Sequence, residues 1–403
     1  MRRVEGGGGP VAVPVRVDKR VAVVAALWAG AVVTALVVVL RRSGGDIGLL
    51  DLRVYRTGGE AWLEGVRLYS DAFPKPLDGP PFPFTYPPLA AALFSLLALV
   101  PWSAAVLIWT GVGLALLTGV CLVTAEHAYG RTRRAVLVGL GVALGSLLLE
   151  PVTATLDFGQ INLVLLGLVA LDCLLPKTVW PRGLLIGLAA AIKLTPMVFV
   201  LFFLPRKRIK PVVTAVASFV GFSLVGFAVA PTDSKQYWFD ALLDPGRVGG
   251  LDYVANQSLR GLVNRWGLTG TTESAVWALL CLATVALVWV AVARAGDDEV
   301  AALMAVAVGG LLVSPVSWTH HWVWVVPGIV YLLHRHWQWG AALAFLFWLA
   351  PMWYVPYENK LEQTWTWWQQ IIGNAYIWAG LAAVVVLALR NRRPASGVAS
   401  GVV

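Results

Sequence analysis

The chain of 403 residues is 58% hydrophobic and only 13% charged, with a mean hydropathy of +0.73. Soluble globular proteins average roughly 25% charged residues, so this composition excludes a water-soluble fold, intrinsic disorder, a coiled coil and a fibrous protein. The net charge of +9 is carried largely by short basic clusters beside apolar runs. Because such clusters mark the cytoplasmic flanks of membrane helices, a lipid bilayer is the expected partner, and no nucleic acid is expected.

The first apolar run, 21–40, follows a basic arm, 1–20, which we expect in the cytoplasm. The run has the length of one spanning helix and shows no clear signal-peptide cleavage site, so we interpret it as an uncleaved first span. The next apolar run, 89–100, is about a dozen residues long, which is too short to span comfortably. It predicts an interfacial or re-entrant helix within a first periplasmic loop, 41–102.

The run 183–204 has Lys193 and Pro196 in its middle. An unbroken span here would place the basic cluster 206–210 outside, so we expect two short helices that turn near Lys193 and return to the cytoplasm. The other apolar runs predict spans at about 103–126, 135–149, 161–175, 211–230, 274–294, 300–314, 319–334, 339–353 and 371–389.

These segments predict an all-α polytopic membrane protein with about 12 transmembrane segments in a single domain, 21–390. A large periplasmic loop, 231–273, lies within the domain, and a cytoplasmic tail, 391–403, follows it. The polar, turn-rich segments fall on one side of the predicted bilayer. They are 41–88, 150–160, the turn at Lys193, 231–273 and 317–321. This asymmetry favours chemistry on one face, whereas a transporter needs access from both.

Asp51 is a candidate general base because it follows the first span in a short amphipathic segment. On a helix it shares a face with Val54 and Tyr55, which places a carboxylate beside an aromatic ring. Flanking leucines can raise the carboxyl pKa toward the range of a general base. The alternative is a solvated aspartate paired with Arg53 or Arg56.

Lys193 and the adjacent histidines His320 and His321 are candidate phosphate ligands. An ionisable residue at membrane depth is a functional-site hypothesis by default, and an ammonium suits a lipid phosphate. Adjacent helical histidines point about 100° apart, so only one of them is expected to face the site. The alternatives are a snorkelling or carboxylate-paired lysine and histidines within an interfacial aromatic belt.

Several uncharged amides and two arginines are weaker candidates. Amides suit sugar hydroxyls but equally cap helices and close turns. An arginine in a loop binds an anion or holds its loop to an acidic neighbour. The residues are Gln160, Asn162, Asn256, Gln257, Arg247 and Arg260.

Six strings occur together in an order that resembles the actinobacterial polyprenyl-phosphate-mannose-dependent α-1,2-mannosyltransferases of glycosyltransferase family 87, in the GT-C superfamily. They are Asp51-Leu52-Arg53-Val54-Tyr55, Phe84-Thr85-Tyr86-Pro87-Pro88, Gly159-Gln160-Ile161-Asn162, Lys193-Leu194-Thr195-Pro196, Asn256-Gln257-Ser258 and Ser314 through Trp322. The resemblance covers roughly 46–330 and is greatest to mycobacterial members that act on phosphatidylinositol mannosides.

The resemblance implies a GT-C-type fold with the active site built from periplasmic loops in the plasma membrane. It implies a polyprenyl-phosphate-mannose donor, a phosphatidylinositol mannoside acceptor extended from tetramannoside to pentamannoside, and an inverting single displacement. Asp51 is then the base, and Lys193 and His321 stabilise the leaving phosphate. The residues expected to bind substrate are Tyr55, Tyr86, Gln160, Asn162, Arg247, Asn256, Gln257, Arg260, Trp318 and His320.

The sequence shows no acidic cluster beyond isolated carboxylates, so we predict no metal and no other cofactor, and we expect a monomer. Two alternatives to the main reading stay open. One is a transporter or flippase of a lipid-linked sugar, in which Lys193 would be the phosphate ligand. The other is a sibling transferase that acts on lipomannan or lipoarabinomannan.

Overall fold

The computed structural model describes residues 18–44, 48–76, 82–243 and 249–390. Within these ranges every regular element is a helix, apart from an isolated antiparallel bridge between Asn256 and Trp318. The α-helices are α1 Lys19–Arg42, α2 Leu50–Leu63, α3 Pro88–Ala98, α4 Trp102–Tyr129, α5 Arg133–Ser146, α6 Glu150–Phe158, α7 Asn162–Leu174, α8 Leu184–Ile192, α9 Ile209–Val229, α10 Pro231–Phe239, α11 Leu259–Arg265, α12 Gly270–Ala295, α13 Glu299–Val313, α14 Val325–Arg335, α15 Trp337–Leu349, α16 Trp367–Gly373 and α17 Ala375–Leu389. Short 3-10 helices are Thr195–Phe202, Leu204–Arg206, Ala241–Leu243, Thr319–Trp324, Pro351–Tyr354 and Leu361–Thr364.

Four helices of the described chain are long and apolar enough to cross a bilayer: α1, α4, α9 and α12. Two bent pairs, α5 with α6 and α16 with α17, raise the number to six if each pair is one span. On α9, Val213 and Leu224 are about 60% exposed, so this helix presents apolar side chains outward as a lipid-facing helix does. The all-α membrane architecture is confirmed, whereas the count of 12 segments stays a prediction.

The predicted break at Lys193 is present. Helix α8 ends at Ile192, Lys193 has extended backbone angles, and the chain continues as the 3-10 helix Thr195–Phe202 with Pro196 in its first turn. Proline fixes φ and has no N–H to donate, which suits the start of a helix and not its interior. The second half of the broken segment is therefore helical, but with 3-10 rather than α geometry.

Two predicted boundaries are wrong. Residues 150–160 were expected as an outer loop, yet Glu150–Phe158 form α6, which lies at 63° to α5 and ends at Gly159 in the left-handed region (φ +66°). The last span was expected at 371–389, but α16 ends at Gly373 and bends by 73° into α17. In both places the chain forms a short helix. The hydropathy of its sequence does not distinguish this helix from a loop or from part of a span.

A close helix contact fixes the first loop. Helix α2 lies directly on α3, and a Cβ added at Gly59 would come within 2.6 Å of the Ser95 backbone. Only glycine permits this approach. The contact holds α2, and with it Asp51, against the bundle instead of leaving it in solvent.

Cross-contacts order the two ends of the bundle. Asp18 and Arg133 form an ion pair at the start of α1 and α5, while Arg42 and Asp157 pair at the end of α1 and α6. The predicted tail 391–403 and residues 1–17 of the predicted arm lie outside the described residues. The predicted domain limits therefore stay predictions.

Candidate active site

Asp51 lies in the first turn of α2, partly buried, and its carboxylate accepts a hydrogen bond from the side chain of Gln160. The arginines proposed as its alternative partners are engaged elsewhere. Arg53 donates to the carbonyls of Gly48 and Ser43, and Arg56 donates to Glu60. The carboxylate thus has no ion pair within 4 Å among the described residues.

The pKa of Asp51 is raised to about 6, principally because the surrounding protein desolvates the carboxylate. The hydrogen bond from Gln160 and the positive charge of Lys193 act in the opposite direction and keep the shift from being larger. A carboxyl group with this pKa is mostly ionised near neutral pH and still basic enough to accept a proton in a transition state.

A buried phenol network orients the groups around Asp51. The Tyr55 hydroxyl lies 2.8 Å from the Tyr86 hydroxyl and donates to Gln160 Oε1 at 2.9 Å. The Tyr55 ring stacks on Phe94 of α3, with centroids 4.5 Å apart. With its Oε1 held by Tyr55, the Gln160 amide turns its NH₂ group toward the carboxylate. Tyr55, Tyr86 and Gln160 are therefore gathered at Asp51.

Lys193 and His321 lie together beside the Tyr86 ring of this network. Lys193 Nζ is 3.3 Å from His321 Nε2 and 5.5 Å from the centroid of the Tyr86 ring. Within the described chain no carboxylate lies within ion-pair distance of Lys193, which argues against the carboxylate-paired alternative. A lysine and an imidazole side by side can together donate to one anionic oxygen.

The two adjacent histidines have different surroundings. His321 lines a cavity of about 70 Å³ together with Lys193, while His320 does not. His320 is buried against Phe158, with its Nε2 unpartnered in the described chain, and its carbonyl accepts the Asn162 amide at 2.9 Å. Asn162 also lines the cavity, so one amide both anchors the histidine segment and borders the open space.

The lining of the cavity combines polar and apolar side chains. The polar lining residues are Lys193, His321, Asn162, Thr195, Ser314 and Ser317. The other lining residues are mostly apolar, and include Leu165, Val169, Val198, Phe199, Ala307, Leu311, Val323 and Trp324. Such a lining suits a ligand with an anionic head and a hydrocarbon body.

Glu150 is a member of the site region to which the sequence argument assigned no role. Its carboxylate, on the first turn of α6, accepts from the Tyr376 hydroxyl at 3.2 Å and from the side chains of Thr319 and Trp353. Thr319 directly precedes the two histidines, so Glu150 anchors their segment from a distant helix. The only local signal is a carboxylate beside a proline, which is too weak to identify such a role.

Asn256 and Gln257 have structural roles, as the turn-closing alternative predicted. Both side chains are fully buried. Asn256 donates to the carbonyls of Leu251 and Pro315 and accepts from the Ser317 N–H, while Gln257 donates to those of Val254 and Gly373. Gln257 Oε1 has no hydrogen-bond partner in the described chain, and sugar binding by these amides stays a prediction. They fasten the outer loop to the Ser314–Trp318 segment and so support Trp318, which is only half-buried.

Of the two candidate arginines, Arg260 does not join the cluster. Arg260 pairs with Glu273 of α12 at 2.9 Å and lies over the Trp277 ring, so a direct role on the donor phosphate is not supported. Its acidic partner lies only 13 residues away in the sequence. Arg247 lies outside the described residues. The described residues also contain no group of three or more His, Cys, Asp or Glu arranged to hold a metal ion.

Comparisons with known proteins identify similar enzymes. Residues 84–315 match glycosyltransferase family 87. The chain is 41% identical to a polyprenol-phosphate-mannose-dependent α-(1-2)-phosphatidylinositol mannoside mannosyltransferase of Mycolicibacterium smegmatis, over 84% of this chain and 83% of the relative. The enzyme of the same name from Mycobacterium tuberculosis is 38% identical, over 90% of each chain.

A third relative is named for a different acceptor. It is a polyprenol-phosphate-mannose-dependent α-(1-2)-phosphatidylinositol pentamannoside mannosyltransferase of Mycolicibacterium smegmatis, 36% identical over 83% of this chain and 82% of the relative. No solved structure matches the chain. The named relatives are transferases, which does not favour the transporter alternative. On the family match and on this identity over most of the length, the chain belongs to glycosyltransferase family 87.

Proposed function

We propose that this protein transfers mannose from polyprenyl-phosphate-mannose to a phosphatidylinositol mannoside and forms an α-1,2 bond by an inverting single displacement. The observation that carries the proposal is that the Tyr55–Tyr86–Gln160 network brings together Asp51, which Gln160 bonds, and the Lys193–His321 pair, which lies beside the Tyr86 ring. It provides a base and an anion site in one polar region, as a direct displacement between two substrates requires.

Asp51 is the proposed base. It accepts the proton of the acceptor 2-hydroxyl while that oxygen bonds to the anomeric carbon of the donor mannose. The bond from this carbon to the phosphate oxygen breaks on the opposite face, so a β-linked donor gives an α-linked product. A positioned base contributes about 10² to 10⁴ in rate, and the pKa near 6 keeps Asp51 ionised at neutral pH.

Lys193 and His321 stabilise the departing polyprenyl phosphate. The phosphate gains negative charge as the glycosidic bond breaks, and donors already fixed at its position lower the energy of that step. The apolar walls of the cavity next to Lys193 suit the isoprenoid chain. Tyr86, whose ring lies 5.5 Å from Lys193 Nζ, and Asn162 are placed to orient the sugar between base and phosphate.

The placement of the protein in the cell is part of the same proposal. We propose a multi-pass plasma-membrane protein of the GT-C fold with about 12 segments, a periplasmic active site and a monomeric state. The apolar helices α1, α4, α9 and α12 support the membrane assignment. The gathering of Asp51, Gln160, Lys193 and His321 at one polar region supports a one-sided site.

The test uses purified protein with radiolabelled polyprenyl-phosphate-mannose and, in parallel, tetramannoside and pentamannoside acceptors. We expect labelled pentamannoside from the tetramannoside, with cleavage by an α-1,2-mannosidase. Product from the pentamannoside alone would assign the protein to the acceptor class of the third relative and contradict the proposed acceptor. Asp51→Asn, which keeps the side-chain shape, is expected to lower turnover by about 10² to 10⁴. Full activity of this variant would contradict the mechanism.

A further inference from the structure

Four half-buried aromatic rings form a cluster beside the candidate site that the catalytic argument does not use. We call Tyr253, Trp318, Trp353 and Tyr357 the aromatic platform. The Tyr253 ring centroid lies 6.1 Å from that of Trp318 and 6.4 Å from those of Trp353 and Tyr357, and the last two are 5.5 Å apart. The rings meet edge to face, and none of the four residues is buried. Each therefore has part of its surface available to a ligand.

The platform is attached to the catalytic groups by direct bonds. The backbone carbonyl of Trp318 accepts from the His321 N–H at 2.8 Å. The side chain of Trp353 donates to Glu150, which also accepts from Thr319, the residue before the histidines. Residues from three separate segments thus converge at the edge of the site, and the same hydrogen bonds hold both the histidines and the platform.

The chemistry of the platform suits a carbohydrate. Aromatic faces pack against the C–H groups of a pyranose ring, while phenol and indole tips bond to its hydroxyls. The hydroxyls of Tyr253 and Tyr357 and the indole N–H of Trp318 are the polar tips that can form such bonds. Asp252 adjoins the platform in sequence, and its carboxylate accepts an amide of Gln363 at 3.0 Å. Acyl chains would leave these polar groups unsatisfied, whereas sugar hydroxyls can bond to them.

We propose that the aromatic platform binds the mannosyl residues already present on the acceptor and so sets the preference for an oligomannoside over a single mannose. The proposal rests on the proposed function, because it assigns these rings to the acceptor of that reaction. It predicts that losing a ring weakens acceptor binding and leaves the donor, which is held at Lys193, unaffected.

The first experiment compares KM values of the full-length protein in nanodiscs. Tyr253→Leu and Tyr357→Leu are each expected to raise the KM for the tetramannoside about five- to tenfold, with the donor KM unchanged. Tyr357→Trp retains an aromatic face and is expected to stay within about twofold of wild type. The matched control is Tyr354→Leu, whose ring is 73% exposed and has no ring contact in the described chain. An unchanged acceptor KM in both leucine variants would overturn the proposal, as would an equal rise in the control.

A second experiment does not depend on turnover or on mutant folding. Saturation-transfer NMR is expected to show that a free linear mannotetraose binds the wild-type protein. In a competition experiment, methyl α-mannoside is expected to compete for this site at least about tenfold less well than the tetraose itself. Equal competition would overturn the platform. If the wild type binds the tetraose but forms no glycolipid product, the proposed function fails and the platform stands. If product forms but the tetraose does not bind, the platform fails and the proposed function stands.

Discussion

The two ends of the helical bundle use the same kinds of charged side chain in opposite ways. At the end we call the paired end, Asp298 and Glu299 are each held by more than one partner. Asp298 accepts from Arg335, Arg390 and Tyr331, and Glu299 pairs with both Arg206 and Arg208. At the site end, which contains Asp51, Lys193 and His321, neither Asp51 nor Lys193 has an ion pair within 4 Å in the described chain.

We propose that the difference separates charges that join helices from charges that take part in the reaction. At the paired end, these ion pairs connect the start of α13 to α14, to the residue after α17 and to the turn before α9. The charges there hold the bundle together. Around Asp51 and Lys193 the hydrogen bonds orient each charge without an ion pair that neutralises it, which leaves both charges free to act on a substrate. The predictions below test this division, from the largest expected effect to the smallest.

Removing the ammonium at the site end is expected to have a large effect on turnover. Lys193→Met keeps the length of the side chain, so the fold should survive, while the leaving phosphate loses a charged donor. We expect turnover to fall by about 10² to 10³. Steady-state assays with polyprenyl-phosphate-mannose measure the turnover, and the turnover of His321→Ala should also fall. A change of less than about threefold in both variants would show that neither group acts on the phosphate.

The pH dependence tests the environment of Asp51. The base must be deprotonated to act, and burial raises its pKa to about 6. Protonation as pH falls through this value should therefore remove activity, and we expect about a tenfold loss of turnover from about pH 7 to about pH 5. Rates measured after return to neutral pH control for irreversible unfolding. A profile that is flat down to about pH 4.5 would mean that Asp51 titrates as an ordinary exposed carboxylate.

A substitution at the paired end should lower the stability of the fold and leave the turnover nearly unchanged. Glu299→Gln leaves Arg206, which is nearly buried, and Arg208 without their carboxylate. We expect a loss of about 1 to 3 kcal/mol in the free energy of unfolding and a lower melting temperature in detergent. Turnover per folded molecule should stay within about twofold of wild type. A large loss of turnover at unchanged melting temperature would contradict a purely structural role for this end.

Chelation of divalent metals should have the smallest effect on turnover. Because the proposed step relies on Lys193 and His321 to stabilise the phosphate, the enzyme is predicted to work without a divalent metal. Turnover after extensive dialysis against EDTA should equal that of the untreated protein. A loss that Mg²⁺ or Mn²⁺ restores would show that a metal assists the donor phosphate.

The sequence predicts those features that depend on local pattern. Hydropathy located α1, α4, α9 and α12, and the conflict between an unbroken span and the basic cluster after it located the break at Lys193. Asp51 and Lys193 were identifiable because a charge beside apolar residues has a large desolvation cost, and its presence therefore indicates a functional role.

The features that depend on distant contacts could not be predicted in this way. Glu150 gains its role from Tyr376, 226 residues away, and α6 is helical because it packs on the histidine segment. Asn256 looked like a sugar ligand, but its partners are backbone groups of other segments. A short polar string does not reveal whether its amides face a substrate or a carbonyl, because both uses need the same donors and acceptors.

The most direct test of the central claim makes the same substitution at both ends. Asp51→Asn and Asp298→Asn are purified in parallel, and both turnover and melting temperature are measured for each. We predict that Asp51→Asn loses about 10² to 10⁴ in turnover with a melting temperature at or above that of wild type, because an amide is cheaper to bury than a carboxylate. Asp298→Asn should show a lowered melting temperature and nearly full turnover per folded molecule. The opposite pattern, in which Asp298→Asn abolishes turnover and Asp51→Asn only destabilises the fold, would contradict the account.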